Sequence, residues 1–113
     1  MTLIQTCRFN DLTSNSVVFT TSLSTSGGFA LNTYCGGMIL VASGSASTTL
    51  TFYVKTQSDS STSFQAYDST GTAVTLSVVG GRCYPIPDEL FGAFYVTATT
   101  GSGTVTCQLL LKG

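Results

Sequence analysis

Apolar and polar residues alternate with a period of two through much of this chain, and that period belongs to strands with one face buried. The clearest run covers residues 48–56: Leu50, Phe52 and Val54 fall on one side, and Thr49, Thr51, Tyr53 and Lys55 on the other. Val105, Cys107, Leu109 and Leu111 repeat the pattern near the C-terminus. There Leu110 interrupts the polar side, as a residue that either covers the core edge or touches a partner. Val74, Leu76 and Val78 form a third run, and Phe94, Val96 and Ala98 a fourth. Val17 with Phe19, and Phe29 with Leu31 and Thr33, are shorter versions. Residues 38–42 are apolar throughout, the pattern of a strand buried on both faces. Asp88-Glu89-Leu90 has room for a single helical turn and no more.

Turn signals separate these runs about every ten residues, as in a sandwich or small barrel. Asp68-Ser69-Thr70-Gly71 is the strongest: Asp bonds its own backbone and Gly supplies the positive φ that closes a hairpin. Gly27-Gly28, Gly36-Gly37 and Gly80-Gly81 read as turns or bulges, because none has the spacing or following helix of a phosphate loop. Pro85 and Pro87 end a short extended run at residues 82–84. The expectation is an all-β fold, an antiparallel β-sandwich of jelly-roll-like wiring, with an immunoglobulin-like sandwich as the alternative. Phe52, Phe64 and Phe94 are expected in the core, and Tyr53, Tyr67 and Tyr95 on the outer faces. At 113 residues the chain is one domain. Residues 16–113 form the sandwich, and residues 1–15 an N-terminal arm or edge segment in which Asn10, Asp11, Ser14 and Asn15 read as turn.

Composition then narrows the function. Only 8% of residues are charged, against about 25% in an ordinary soluble domain. The formal net charge is -1, so there is no basic patch for nucleic acid. No apolar run approaches the length of a membrane helix, and residues 1–8 do not read as an export signal. The absence of histidine removes the Ser-His-Asp and Cys-His arrangements. Asp59, Asp68, Asp88 and Glu89 read as solvated turn residues and not as a glycosidase pair, a weak calcium site near Asp88 and Glu89 being the alternative. No catalytic residue, metal site or cofactor is expected, and the chain is not read as an enzyme. Cys7, Cys35, Cys83 and Cys107 contain no CxxC pair. With no export signal all four are expected as free thiols, two disulfides being the alternative. The outer tyrosines are expected to pair across strands, or else to serve an interface or contact sugar.

The stretch from Gly37 to Lys112 resembles a small virion structural protein of a tailed bacteriophage. The likeness lies in the strand run TLTFYVKT, the hairpin AYDSTGTAV, the turn YPIPDELFGAFYV and the ending TCQLLLKG. It implies a β-sandwich that decorates or cements a capsid shell, relatives of this kind also serving in tails and fibres. It further implies a place in the virion after assembly in a host cytoplasm. The implied partners are further copies of the chain, in a trimer, and the major capsid protein, with no direct nucleic-acid or membrane contact. A carbohydrate or host-surface binding module is the alternative. Two interface segments are expected. Leu3, Ile4 and Phe9 lie in an arm that could add a strand to a neighbour's edge. Ile86, Leu90 and Phe91 form an apolar tip stiffened by two prolines. In the alternative, these side chains plug one end of their own sandwich.

Overall fold

The computed structural model describes residues 9–12, 16–57 and 62–112, the first stretch by its backbone alone. In chain order the strands are β1 (Phe9–Leu12), β2 (Val17–Phe19), β3 (Gly28–Phe29), β4 (Gly36–Val41), β5 (Thr48–Lys55), β6 (Phe64–Gln65), β7 (Thr75–Val78), β8 (Cys83–Pro85), β9 (Tyr95–Thr100) and β10 (Val105–Lys112). A single 3-10 turn, Asp88–Leu90, separates β8 from β9. One sheet runs β1-β10-β4-β8, with β2 sharing the β10 edge used by β1. The other runs β3-β9-β5-β6, with β7 also on β5. Every pairing is antiparallel.

β1 and β2 take the two halves of β10, through Leu12 opposite Leu110 and Val17 opposite Cys107. β6 and β7 divide the β5 edge in the same way. With each split edge strand counted once, the first sheet joins the first, last, third and sixth strands, and the second joins the second, seventh, fourth and fifth. Only β5 and its split successor share a sheet; every other step along the chain crosses between sheets. This is the wiring of a jelly roll. An immunoglobulin sandwich keeps its first two strands in one sheet and is excluded by this order.

The core lies between the inner faces. Phe19, Ile39, Val41, Val105, Cys107, Leu109 and Leu111 come from one sheet, and Phe29, Leu50, Phe52, Val78, Val96 and Ala98 from the other. β10 alternates buried and half-buried at each of its eight residues, as its sequence period requires. Phe19 and Phe29 meet edge to face across the sheets, with centroids 6.1 Å apart.

Several expectations are corrected. Phe64 and Phe94 are 62% and 52% exposed. Both have the parity of core residues, but they stand where strands begin at one end of the sandwich, beyond the cover of the opposite sheet. Asn10 and Asp11 belong to β1, and a register shift between Phe9 and Asp11 accommodates them. The run from Phe29 to Thr33 pairs only at Gly28–Phe29. Leu31 is nevertheless buried, tied to the β8–β9 connection by its N–H to the Ala93 carbonyl and its carbonyl to the Gly92 N–H. Cys35 is disulfide-bonded, whereas Cys83 and Cys107 are free. Its partner lies outside the described residues, as does Cys7. The expectation of four thiols rested on the reading of the N-terminus, which says nothing of which sulfurs the fold brings together.

Candidate functional site: two outer faces and one aromatic end

The outer face of the first sheet is apolar at its centre. On β4, Met38 and Leu40 alternate with buried Ile39 and Val41 and point away from the core. Register then places Pro85, Met38 and Leu110 in one row across β8, β4 and β10, and Cys83, Leu40 and Gln108 in the next. Val18, 37% exposed, continues the surface on β2 opposite Thr106. Toward the end where β4 stops, the face dips into a groove of ≈ 500 Å³. Ser16 and Gln108 stand on one side, Arg82 and Cys83 on the other, with Leu40 and Ala42 between. Arg82 is the one charged residue of that lining among the described residues. Main-chain bonds close the groove floor: Val41 N–H to the Arg82 carbonyl at 2.9 Å and Ala42 N–H to the Thr106 carbonyl at 2.9 Å.

The second sheet turns a different surface outward. Thr75, Thr51 and Thr99 form one row, Ser77 and Thr49 another, and Gln65, Tyr53 and Thr97 a third. The Thr97 hydroxyl donates to the Gly27 carbonyl at 2.6 Å. Tyr95 lies over Gly28, where any Cβ would overlap the ring, so a glycine is required there by close approach. Tyr53 and Tyr95 are diagonal neighbours by register, as expected for cross-strand pairs. Tyr67, 56% exposed, stands at the base of the β6–β7 hairpin opposite Ala73.

The two ends also differ. One gathers Phe64, Phe94 and half-buried Phe91 around the 3-10 turn, with Asp88 and Glu89 exposed on it. Of the expected tip, Ile86 and Leu90 are buried in the chain's own core, and the Ile86 N–H is bonded to the Gly37 carbonyl at 3.0 Å. They plug the end of the sandwich, and half-buried Phe91 packs against the same core. Leu3 and Ile4 lie outside the described residues, and of Phe9 only the backbone is described, paired opposite Lys112. The opposite end is built of Ser and Thr: Thr20, Ser22, Thr25 and Ser26 bond mainly to one another and to their own backbone.

Two titratable groups, Asp68 and Cys107, are held by the fold itself. Asp68 accepts from the Thr70 hydroxyl at 2.6 Å and from the Thr70 and Thr72 N–H groups at 2.9 and 3.0 Å. These bonds, the Thr70 hydroxyl first, hold its pKa below the usual value. Burial pushes the Cys107 thiol up to about 12. Among the described residues no three His, Cys, Asp or Glu side chains gather as a metal site, and no helix is long and apolar enough to cross a membrane.

The surface that sequence reasoning missed is the Met38, Leu40 and Leu110 patch with its Arg82 groove. Its signals were the unbroken apolar run on β4 and Leu110 on the polar side of β10. Comparison with known proteins gives no further lead: no family model, no curated protein and no solved structure matches the chain.

Proposed function

We propose that the chain is a non-enzymatic structural subunit of a virion, a decoration or cement protein that docks on a repeating shell through the outer face of its first sheet. The observation that carries this reading is the apolar character of β4 on both sides, joined on the outer face by Leu110 of β10. Strands covered on both faces read as continuous apolar runs; Met38, Leu40 and Leu110 stand half-buried on the outward face, and among the described residues no third layer of strands or helices lies over them. A patch of that kind on a chain with so few charges is suited to being covered by another protein. The jelly-roll wiring supports the reading, since shell proteins use it recurrently. Lectin-like domains use it too, which keeps the carbohydrate or host-surface alternative in view.

The test is incorporation. Particles released by the cells that make this chain should contain it in fixed ratio to the major shell protein, measured by quantitative mass spectrometry. Leu40→Lys should fold and yet be missing from the particles. A chain absent from particles ends the virion reading. A Leu40→Lys chain that is incorporated normally removes this face as the docking surface.

A further inference from the structure

The groove on the first sheet and the turn at the far end of the sandwich carry opposite charges and matching apolar surface. Among the described residues Arg82 is the only charged one in the groove lining, beside Leu40 and Cys83. β8 leads away from it to Pro85, and the 3-10 turn follows at the opposite end. There Asp88 and Glu89 are adjacent and exposed. Asp68, the other carboxylate among the described side chains, is committed to its own hairpin. Beside the acids stand half-buried Phe91 and the more exposed Phe94.

This turn is already held in one conformation. Leu90 N–H bonds to the Pro87 carbonyl at 3.1 Å, Phe91 N–H to Asp88 at 3.2 Å and Ala93 N–H to Leu90 at 3.2 Å. Buried Leu90 anchors it from below. A loop fixed before contact loses little entropy on docking.

We propose that the chain associates with itself head to tail, the acidic Asp88–Phe94 turn of one copy seating in the Arg82 groove of the next. The proposal rests on the assembly reading above and names a partner for part of the same face. The second copy is favoured because one chain carries both halves of the contact and cannot join them itself. Extended β8 keeps turn and groove at opposite ends. In the complex the carboxylates of Asp88 and Glu89 face the Arg82 guanidinium, and Phe94 lies toward Leu40. Such a contact is heterologous: an open row of copies keeps one free turn at one end and one free groove at the other until a ring closes.

The experiment is sedimentation of the full chain from micromolar to millimolar concentration, in a Cys83→Ser background so that no disulfide across the groove confuses the result. The parent chain should associate, and more weakly as salt is raised. Arg82→Glu, and separately Asp88→Lys with Glu89→Lys, should each weaken association by about tenfold or more. All three changes together should restore it. Thr49→Lys, on the outer face of the other sheet, should associate as the parent does. All replaced positions are exposed, and unchanged melting verifies the fold of each variant. A parent that stays monomeric throughout, charge reversals without effect, or a triple variant that fails to recover would each overturn the proposal. A monomeric chain that is nonetheless found in particles overturns head-to-tail association and leaves the virion reading standing.

Discussion

The two free thiols among the described residues sit in opposite environments, one exposed on β8 and one buried on β10. A water-soluble thiol reagent should therefore modify one cysteine per native chain, Cys83, and two in denaturant without reductant, because Cys35 is already bonded. Mass spectrometry of the labelled chain checks both counts. Burial raises the Cys107 pKa from 9.0 to about 12. The folded state thus holds its proton where the unfolded chain has lost it. The stabilisation is complete below pH 9 and falls as pH rises from there toward 12, with a limiting slope of about 1.4 kcal/mol per pH unit. Denaturant titrations between pH 8 and pH 10.5 should show that slope, and Cys107→Val should flatten it. If parent and variant fall in parallel, the thiol is not the cause. Single residues also mark where sequence reading reaches its end. Phe52 and Phe64 have the same inward parity, yet one is fully buried and the other mostly exposed. Periodicity reports the side of a sheet to which a residue points; whether another layer lies above it depends on where the opposite sheet ends.

At the scale of elements, the hairpin at 68–71 was the most legible feature because its cause is local. Asp68 takes the backbone N–H groups of Thr70 and Thr72, Gly71 N–H returns to the Asp68 carbonyl at 3.0 Å, and Gly71 adopts φ +84. Gly71→Ala should cost about 1 kcal/mol, the penalty of the left-handed region for an L residue, measured by chemical unfolding. Hydrogen exchange should place the loosening at Thr70–Ala73. A variant as stable as the parent would mean that the turn relaxes freely. The lowered pKa of Asp68 gives the opposite pH sign to Cys107. Its contribution is present above the unfolded value of 3.8 and is lost as pH falls through the lower folded value. β1 and β3 were harder to read, since both depend on distant partners. Asn10 and Asp11 look like turn residues, and only β10 alongside makes them a strand. Leu31 looks like part of a strand, and it is the β8–β9 connection that ties it down.

At the scale of the molecule, sheet class follows from alternation, while wiring does not. The jelly-roll order depends on pairings such as β2 with β10 and β3 with β9, which join segments far apart in sequence, and nothing local distinguishes them from other antiparallel partners. The double character of β10 does have a visible trace in the sequence, three consecutive leucines, and the fold assigns them opposite tasks. Leu109 is fully buried, while half-buried Leu110 faces outward beside Met38. Leu109→Ala should therefore cost about 2–5 kcal/mol through lost burial and the cavity left behind. Leu110→Lys should change stability by roughly 0.5 kcal/mol or less, because a lysine can lay its stem along the sheet and keep its ammonium in water. Thermal and denaturant unfolding of the two variants, side by side with the parent, is the measurement. Equal losses would mean that this face is already covered by the chain itself, and the docking surface would vanish with it. A large loss at Leu109 with little change at Leu110 would establish an apolar sheet face that the monomer does not need for its own stability, and so one free to be covered by another protein.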